Sequence, residues 1–193
     1  MKTKTQLLSL FLLCLTLYSS KAYSVSEPTP FRSTFGKEMH DILKNMKTYT
    51  LDLIRQMPDE HFEFRPAEDM YTFREQIEHI VGAVHFQYEY FLKGASKVPP
   101  SEIQSIKEEL KRMDKDALLA KLSEVFDTVA NFYTTVSEKA LNESHTLFFL
   151  PEKPERSLRV VSMLLRDHIT HHRGQMIVYL RLKGIKPVRY TPF

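Results

Sequence analysis

The sequence predicts an all-α protein, a four-helix bundle over residues 31–193, on three observations. Four stretches carry apolar residues at three-and-four spacing, no segment alternates with the period of two that a strand requires, and Pro58, Gly94 and Gly184 punctuate the stretches. The 193 residues, 42% hydrophobic and 26% charged, suit one soluble domain with a real core rather than a disordered or multi-spanning chain. The 5 Gly are spread so that no GxG, GxxxxGK or GxSxG string can be written, which excludes dinucleotide folds, P-loops and nucleophile elbows.

The chain opens with Lys2 and Lys4 before an apolar run from Leu7 to Tyr18, then small residues at Ser20 and Ala22. That pattern predicts a signal peptide over residues 1–22, cleaved after Ala22, because the run is shorter than the roughly 17 residues needed to span a bilayer. An uncleaved anchor is the alternative; lipid attachment at Cys14 is disfavoured by Leu13 before it. The expectation is an exported protein, periplasmic or extracellular, with no stable membrane insertion after cleavage. Of 27 Lys and Arg against 24 Asp and Glu, Lys2, Lys4 and Lys21 lie in the leader, so the remainder carries no net charge with His neutral. A neutral chain lacks the basic face of a nucleic-acid binder, and no nucleic-acid partner is expected. The only Cys leaves with the leader, so any sulfur chemistry must come from a ligand.

Residues 23–30, with Pro28 and Pro30, read as a flexible lead-in. Phe31, Phe35, Met39, Leu43, Met46 and Leu53 mark the first helix, which Pro58 stops, and residues 58–70 have no period and read as a loop. Thr72 with Glu75 forms a capping box that opens the second helix, which continues to Gly94. After Pro99-Pro100 a short charged helix spans residues 101–112, and Asp114 opens a long helix over 114–141. Residues 142–156 read as an irregular segment carrying Phe148-Phe149-Leu150 and an Asn142-Glu143-Ser144 sequon. The last helix runs from Ser157 to Lys183.

The strongest chemical signal is His168-Ile169-Thr170-His171-His172 in that last helix. His172 lies about 40° from His168 around the helix, with Val161, Leu165 and Tyr179 on the same side, and His171 about 60° the other way. Two imidazoles one turn apart can grip one metal ion, whereas burying both without a metal or hydrogen-bond partners desolvates polar nitrogens. Core histidines bonded to neighbouring helices are the alternative. A third ligand is needed from another helix: His79, on one side of the second helix with Gln76, Ala83 and Phe86, ranks first and His40 a distant second. His85 points elsewhere, and His61 and His145 lie on loops. Three neutral imidazoles leave an ion at least one open position. Ile169 stands where an HExxH protease needs its Glu, so a base must come from elsewhere, with Glu75 or His171 as the candidate proton relay. Phe86 and Tyr179 are the expected apolar walls for substrate. Gly174 reads as a close-approach position, Arg173 and Arg181 as surface or dimer-contact charges.

The segment DHITHHRGQMIVYLRLKGIKP, with REQIEHI opening the second helix, resembles the DinB/YfiT-like superfamily of damage-inducible and thiol-transferase proteins. The matching residues are His168, His172, Arg173, Gly174, Gln175, Tyr179, Leu180, Arg181, Gly184 and Pro187. The resemblance implies an up-down-down-up bundle, a metal triad of His79, His168 and His172, a divalent ion that is zinc or nickel, and frequent homodimers. It also implies metal-dependent transfer from thiols such as bacillithiol or mycothiol. The export signal and the absence of Trp depart from the family pattern, and those thiols are cytoplasmic, so an exported member needs another small-molecule substrate, another reaction or none. The functional expectation is therefore a divalent-metal-dependent transferase or hydrolase using an activated thiol or water. The alternatives are a non-catalytic metal-binding or stress-associated dimer, and an interaction module with structural histidines.

Overall fold

A computed structural model describes residues 31–94 and 99–191. The expected signal peptide and lead-in, residues 1–30, lie outside the described residues. The described chain is mostly helical, with six helices: α1 (Thr34–Gln56), α2 (Phe73–Gln87), α3 (Pro100–Arg112), α4 (Lys115–Thr135), α5 (Glu138–Leu141) and α6 (Leu158–Leu182). A two-stranded antiparallel ribbon, β1 (Ser144–Thr146) and β2 (Glu155–Ser157), lies between α5 and α6, with His145 opposite Arg156. None of the described helices is long and apolar enough to cross a membrane.

The helix boundaries follow capping chemistry. Ser33, Asp114, Ser137 and Ser157 each accept a hydrogen bond from the backbone N–H three residues on. At α2 the capping box closes in both directions between Thr72 and Glu75. Ser33 as cap explains why α1 starts at Thr34 rather than at Phe31. Gly94 and Gly184 adopt left-handed φ of 77° and 73°, which lets them follow a helix end without strain.

Three expected elements differ. The helix expected over 114–141 breaks at Val136, whose extended backbone (ψ 128°) ends α4 and lets Ser137 cap a separate turn. The second helix does not stay α-helical to Gly94: Tyr88–Leu92 forms a π-turn, a feature frequent near functional sites. The segment 142–156 contains the ribbon, joined by Ser144 and Thr146 hydroxyls donating to Glu155.

The long helices pack as a cycle in which α1 and α2 each touch α4 and α6. Leu53 and Ile54 of α1, Phe73, Ile77 and Ile80 of α2, Leu118, Leu122 and Phe126 of α4, and Leu165, Ile169 and Met176 of α6 fill the centre, all essentially without exposure. Each such side chain gains about 1.5–3 kcal/mol from leaving water. At the ends, Phe35 of α1 lies under Arg159 of α6, and Gln56 bonds Lys186 and Val188 beyond α6. Lys47 bonds Asp127 at 2.7 Å, and Lys115 bonds the Met57 carbonyl at 2.6 Å, joining α1 to α4.

The close-approach glycine is Gly36, not Gly174. A Cβ at Gly36 would meet the Tyr133 carbonyl at 2.5 Å and Ser33 Oγ at 2.6 Å, whereas one at Gly174 would meet nothing within 4 Å. Gly174 sits on the outward face of α6. Urea unfolding therefore reads opposite signs for the two: Gly36→Ala destabilises by about 1–3 kcal/mol through overpacking, and Gly174→Ala stabilises by about 0.5–1 kcal/mol through helix propensity.

Candidate metal centre

Helix α2 presents His79 toward α6, and α6 presents His168 and His172 back. Their ligand atoms lie within 4.8 Å of one another, and His79 Nε2 is 3.0 Å from His168 Nε2. Nitrogens about 2.1 Å from a common ion stand about 3.0 Å apart at a right angle and about 3.4 Å at the tetrahedral angle. The pair is thus spaced as two ligands of one ion, and the three residues could hold a metal. His172 is buried, the other two half-buried.

A buried amide fixes the tautomer. Tyr179 donates its hydroxyl to the Tyr71 carbonyl at 2.7 Å and accepts from Gln76 Nε2 at 3.2 Å; the same nitrogen donates to Gln175 Oε1 at 2.6 Å. Gln76 Oε1 is left to accept, and His172 Nδ1 donates to it at 2.6 Å. The proton of His172 is therefore on Nδ1, which leaves the Nε2 lone pair free. An outer partner of this kind orients a ligating imidazole and raises its basicity.

All three imidazoles are held neutral. Burial is the main cause for each, and for His172 it combines with the neighbouring rings to push the pKa down to about 3. His79 is lowered further by Lys107 and His171, and His168 by His79 and His171. Neutral imidazole is the form that binds metal.

The other expected residues fall outside this cluster. Glu75 spends Oε2 on the Thr72 N–H at 2.7 Å and Arg65 at 3.1 Å, on the wall of a neighbouring cavity. His171 is exposed, its Nε2 accepting from Gln175 at 2.8 Å. His40 packs on Phe31 and bonds Asp41, away from the cluster. Tyr179 is fully buried behind Gln76 and lines no substrate space; this corrects its expected role as a wall. Arg173, expected on the surface, is also buried.

The cavity, about 410 Å³, lies between α2 and α3. His79 forms part of its wall with Phe86, Ala83, Ile103, Ile106 and Leu110. Arg74 holds α3 in place by donating to the carbonyls of Leu110, Lys111 and Met113, and to Glu78 at 2.7 Å. Tyr71 lines the same cavity and lays its ring near parallel to His172, 6.4 Å away, and 5.4 Å from His79. Burial raises the Glu78 carboxyl against the opposing pull of Arg74.

Sequence reasoning assigned no role to Gln76, Tyr71 or Glu78. Gln76 did leave a signal, a polar residue on the inward side of α2 one turn before His79. Tyr71 left none, because it precedes the cap and reaches the cluster only through the turn at residues 66–72.

The chain matches the model of the DinB superfamily over residues 42–176. No curated protein matches it. Among solved structures it is similar to a DinB-like protein, YjoA, from Bacillus subtilis, with 16% identity and a TM-score of 0.50, covering 79% of this chain and 96% of that one. It is similar also to a DinB-like protein from Bacillus cereus, with 19% identity and a TM-score of 0.51, covering 80% and 97%.

Two measurements test the site. Gln76→Leu keeps the fold's volume but frees His172 Nδ1, and calorimetric zinc titration should read an affinity about 10–100-fold weaker. In chelated protein the three histidines hold their protons less tightly in the folded state than in the unfolded chain, where they titrate near 6.5. The unfolded state then binds more protons, so stability falls as pH drops below about 6.5, by at most about 1.4 kcal/mol per pH unit for each histidine. Urea midpoints between pH 7.5 and 5.0 check this; a flat profile contradicts it.

Proposed function

The chain belongs to the DinB superfamily, and from that premise we propose that it is a divalent-metal-dependent enzyme acting on a small, largely apolar molecule. The observation that carries the reading is the sharing of His79 and Tyr71 between the three-imidazole cluster and the cavity beneath α3. A bound zinc or nickel ion supplies Lewis acidity, lowering the pKa of a thiol or water toward neutrality. Donor chemistry favours either ion, since imidazole suits both.

The chain's own residues divide the remaining work. Gln76 holds His172 in the tautomer that leaves Nε2 free, and burial keeps all three rings unprotonated at neutral pH. Phe86, Ile103 and Ile106 exclude water from the substrate body, while Lys107 and Lys111 at the cavity edge suit an anionic or polar end. Of the two candidate relays, Glu75 lines the cavity and His171 does not, which favours Glu75 for holding a substrate proton.

The bundle is read as up-down-down-up. Support comes from the shared ends of α1 and α6 at Phe35–Arg159 and Gln56–Lys186, and from His79 meeting residues 168 and 172 while Gln76 meets 175 and 179. Export rests on the charged and apolar pattern of residues 1–22. A homodimer is supported by the exposed Val160, Met163, Val178 and Leu182 on α6, which share one outward stripe with Gly174.

Elemental analysis of the purified protein should find about one divalent ion per chain, lost in His168→Ala/His172→Ala. Turnover of thiol–electrophile pairs or activated esters should require that ion and disappear in His172→Ala. Stoichiometric metal in the double variant would refute the ligand assignment, and tight metal without turnover would make the protein a metal binder rather than an enzyme.

A further inference from the structure

We propose that a second site, an oxyanion-binding cleft centred on Arg173, lies between α1, α6 and the segment after α6, and takes a small ligand bearing a carboxylate or phosphate group. Arg173 follows His172 by 100° of helix and points away from the imidazole cluster, toward α1. It is only 6% exposed. Its guanidinium lies 4.9 Å over the ring of Tyr49, Nη2 reaches no closer partner than Thr170 Oγ1 at 3.5 Å, and Nη1 is buried with no hydrogen-bond partner.

A guanidinium offers five N–H donors in a fixed plane and cannot discharge, so burying one without a counter-charge is among the most unfavourable arrangements in a protein interior. Among the described residues no carboxylate stands within ion-pair distance of Arg173. The one acid on the cleft, Asp167, bonds Arg166 at 2.8 Å and is 63% exposed. The guanidinium lines the cleft with donors unspent, and its planar fork is the group that carboxylate and phosphate match with two parallel hydrogen bonds.

The surroundings select for an anion. The cleft has a volume of about 290 Å³, and Ile42 and Met46 give it an apolar wall on the α1 side. Tyr190 separates it from an adjoining hollow of about 580 Å³ whose lining includes Arg181, Lys186 and Arg189 and no acid. Three cations along the adjoining hollow raise the local concentration of anions beside the cleft. Tyr190 meets Tyr49 edge-on at 5.7 Å, so the ring that backs the guanidinium and the ring that borders the mouth form one aromatic corner.

The test titrates inorganic phosphate and citrate, at ionic strength held constant with chloride, into the full chain labelled with ¹⁵N, reading arginine side-chain resonances and the melting temperature. Saturable shifts at Arg173 are expected, weakened at least about tenfold in Arg173→Met, with metal content unchanged. Tyr190→Ala and Arg189→Glu alter the mouth without entering the core, and weaker binding in both supports the site even if Arg173→Met fails to fold. Binding that survives in His168→Ala/His172→Ala places the anion away from the metal centre; binding lost in that variant overturns the proposal. It is overturned equally by no saturation, or by an unchanged response in the Tyr190 and Arg189 variants.

Discussion

A primary amide without solvent has two N–H groups and a carbonyl oxygen to satisfy, and Gln76 satisfies them entirely across the interface between α2 and α6. Its two N–H groups go to Gln175 and Tyr179 and its oxygen to His172. Any slip of α2 along α6 would break all three hydrogen bonds of this buried amide together, each buried group left unsatisfied costing about 1–3 kcal/mol. The register that aligns His79 with His168 and His172 is therefore held by a residue that has no place in the first coordination sphere. The capping box at Thr72 fixes where α2 starts, and Tyr179, anchored on the Tyr71 carbonyl, ties that start to α6.

The buried arc of α6 explains why a site exists on this helix at all. Counted from His168, the residues of this helix with no exposure, Ile169, Met176, Tyr179 and Leu180, centre at about 80°, and the arc extends from Val161 and Tyr179 near 20° to Arg173 near 140°. His168 at 0° sits at the margin and His172 just inside it. Imidazoles at the centre of the arc would be sealed in hydrocarbon; farther out they would be solvated and protonated near neutrality. At the margin they are desolvated enough to stay neutral and open enough to be reached.

Periodicity made the helices legible, and a one-turn spacing made the histidine pair legible, because both signals are local. His79 was recoverable by the same face argument. Arg173 was misplaced because charge was read as exposure: with α1 on one side and α2 on the other, α6 buries a wider arc than a single apolar stripe suggests, and only the tertiary arrangement of the neighbours defines it. Gly174 was misread for the complementary reason, since it falls outside that arc. The break at Val136 and the ribbon at Ser144–Ser157 depend on single caps and on pairing across eight intervening residues, which leave little periodic trace.

The wall that closes the cavity is unlike the other helices. Of the 13 residues of α3 only Leu110 is buried, near the end that Arg74 grips, while the other end meets α2 through the exposed contact of Glu102 with His85 at 3.4 Å, and Ile103 and Ile106 are only partly covered. Mechanically it is a lever about 20 Å long pivoting on a guanidinium. A tilt of about 5° would move its far end by roughly 1.7 Å, about the width gained by removing one methylene layer. The bundle thus separates two tolerances: ligand atoms set to tenths of an ångström by buried amide bonds, and an aperture whose bore is set by one loosely seated rod.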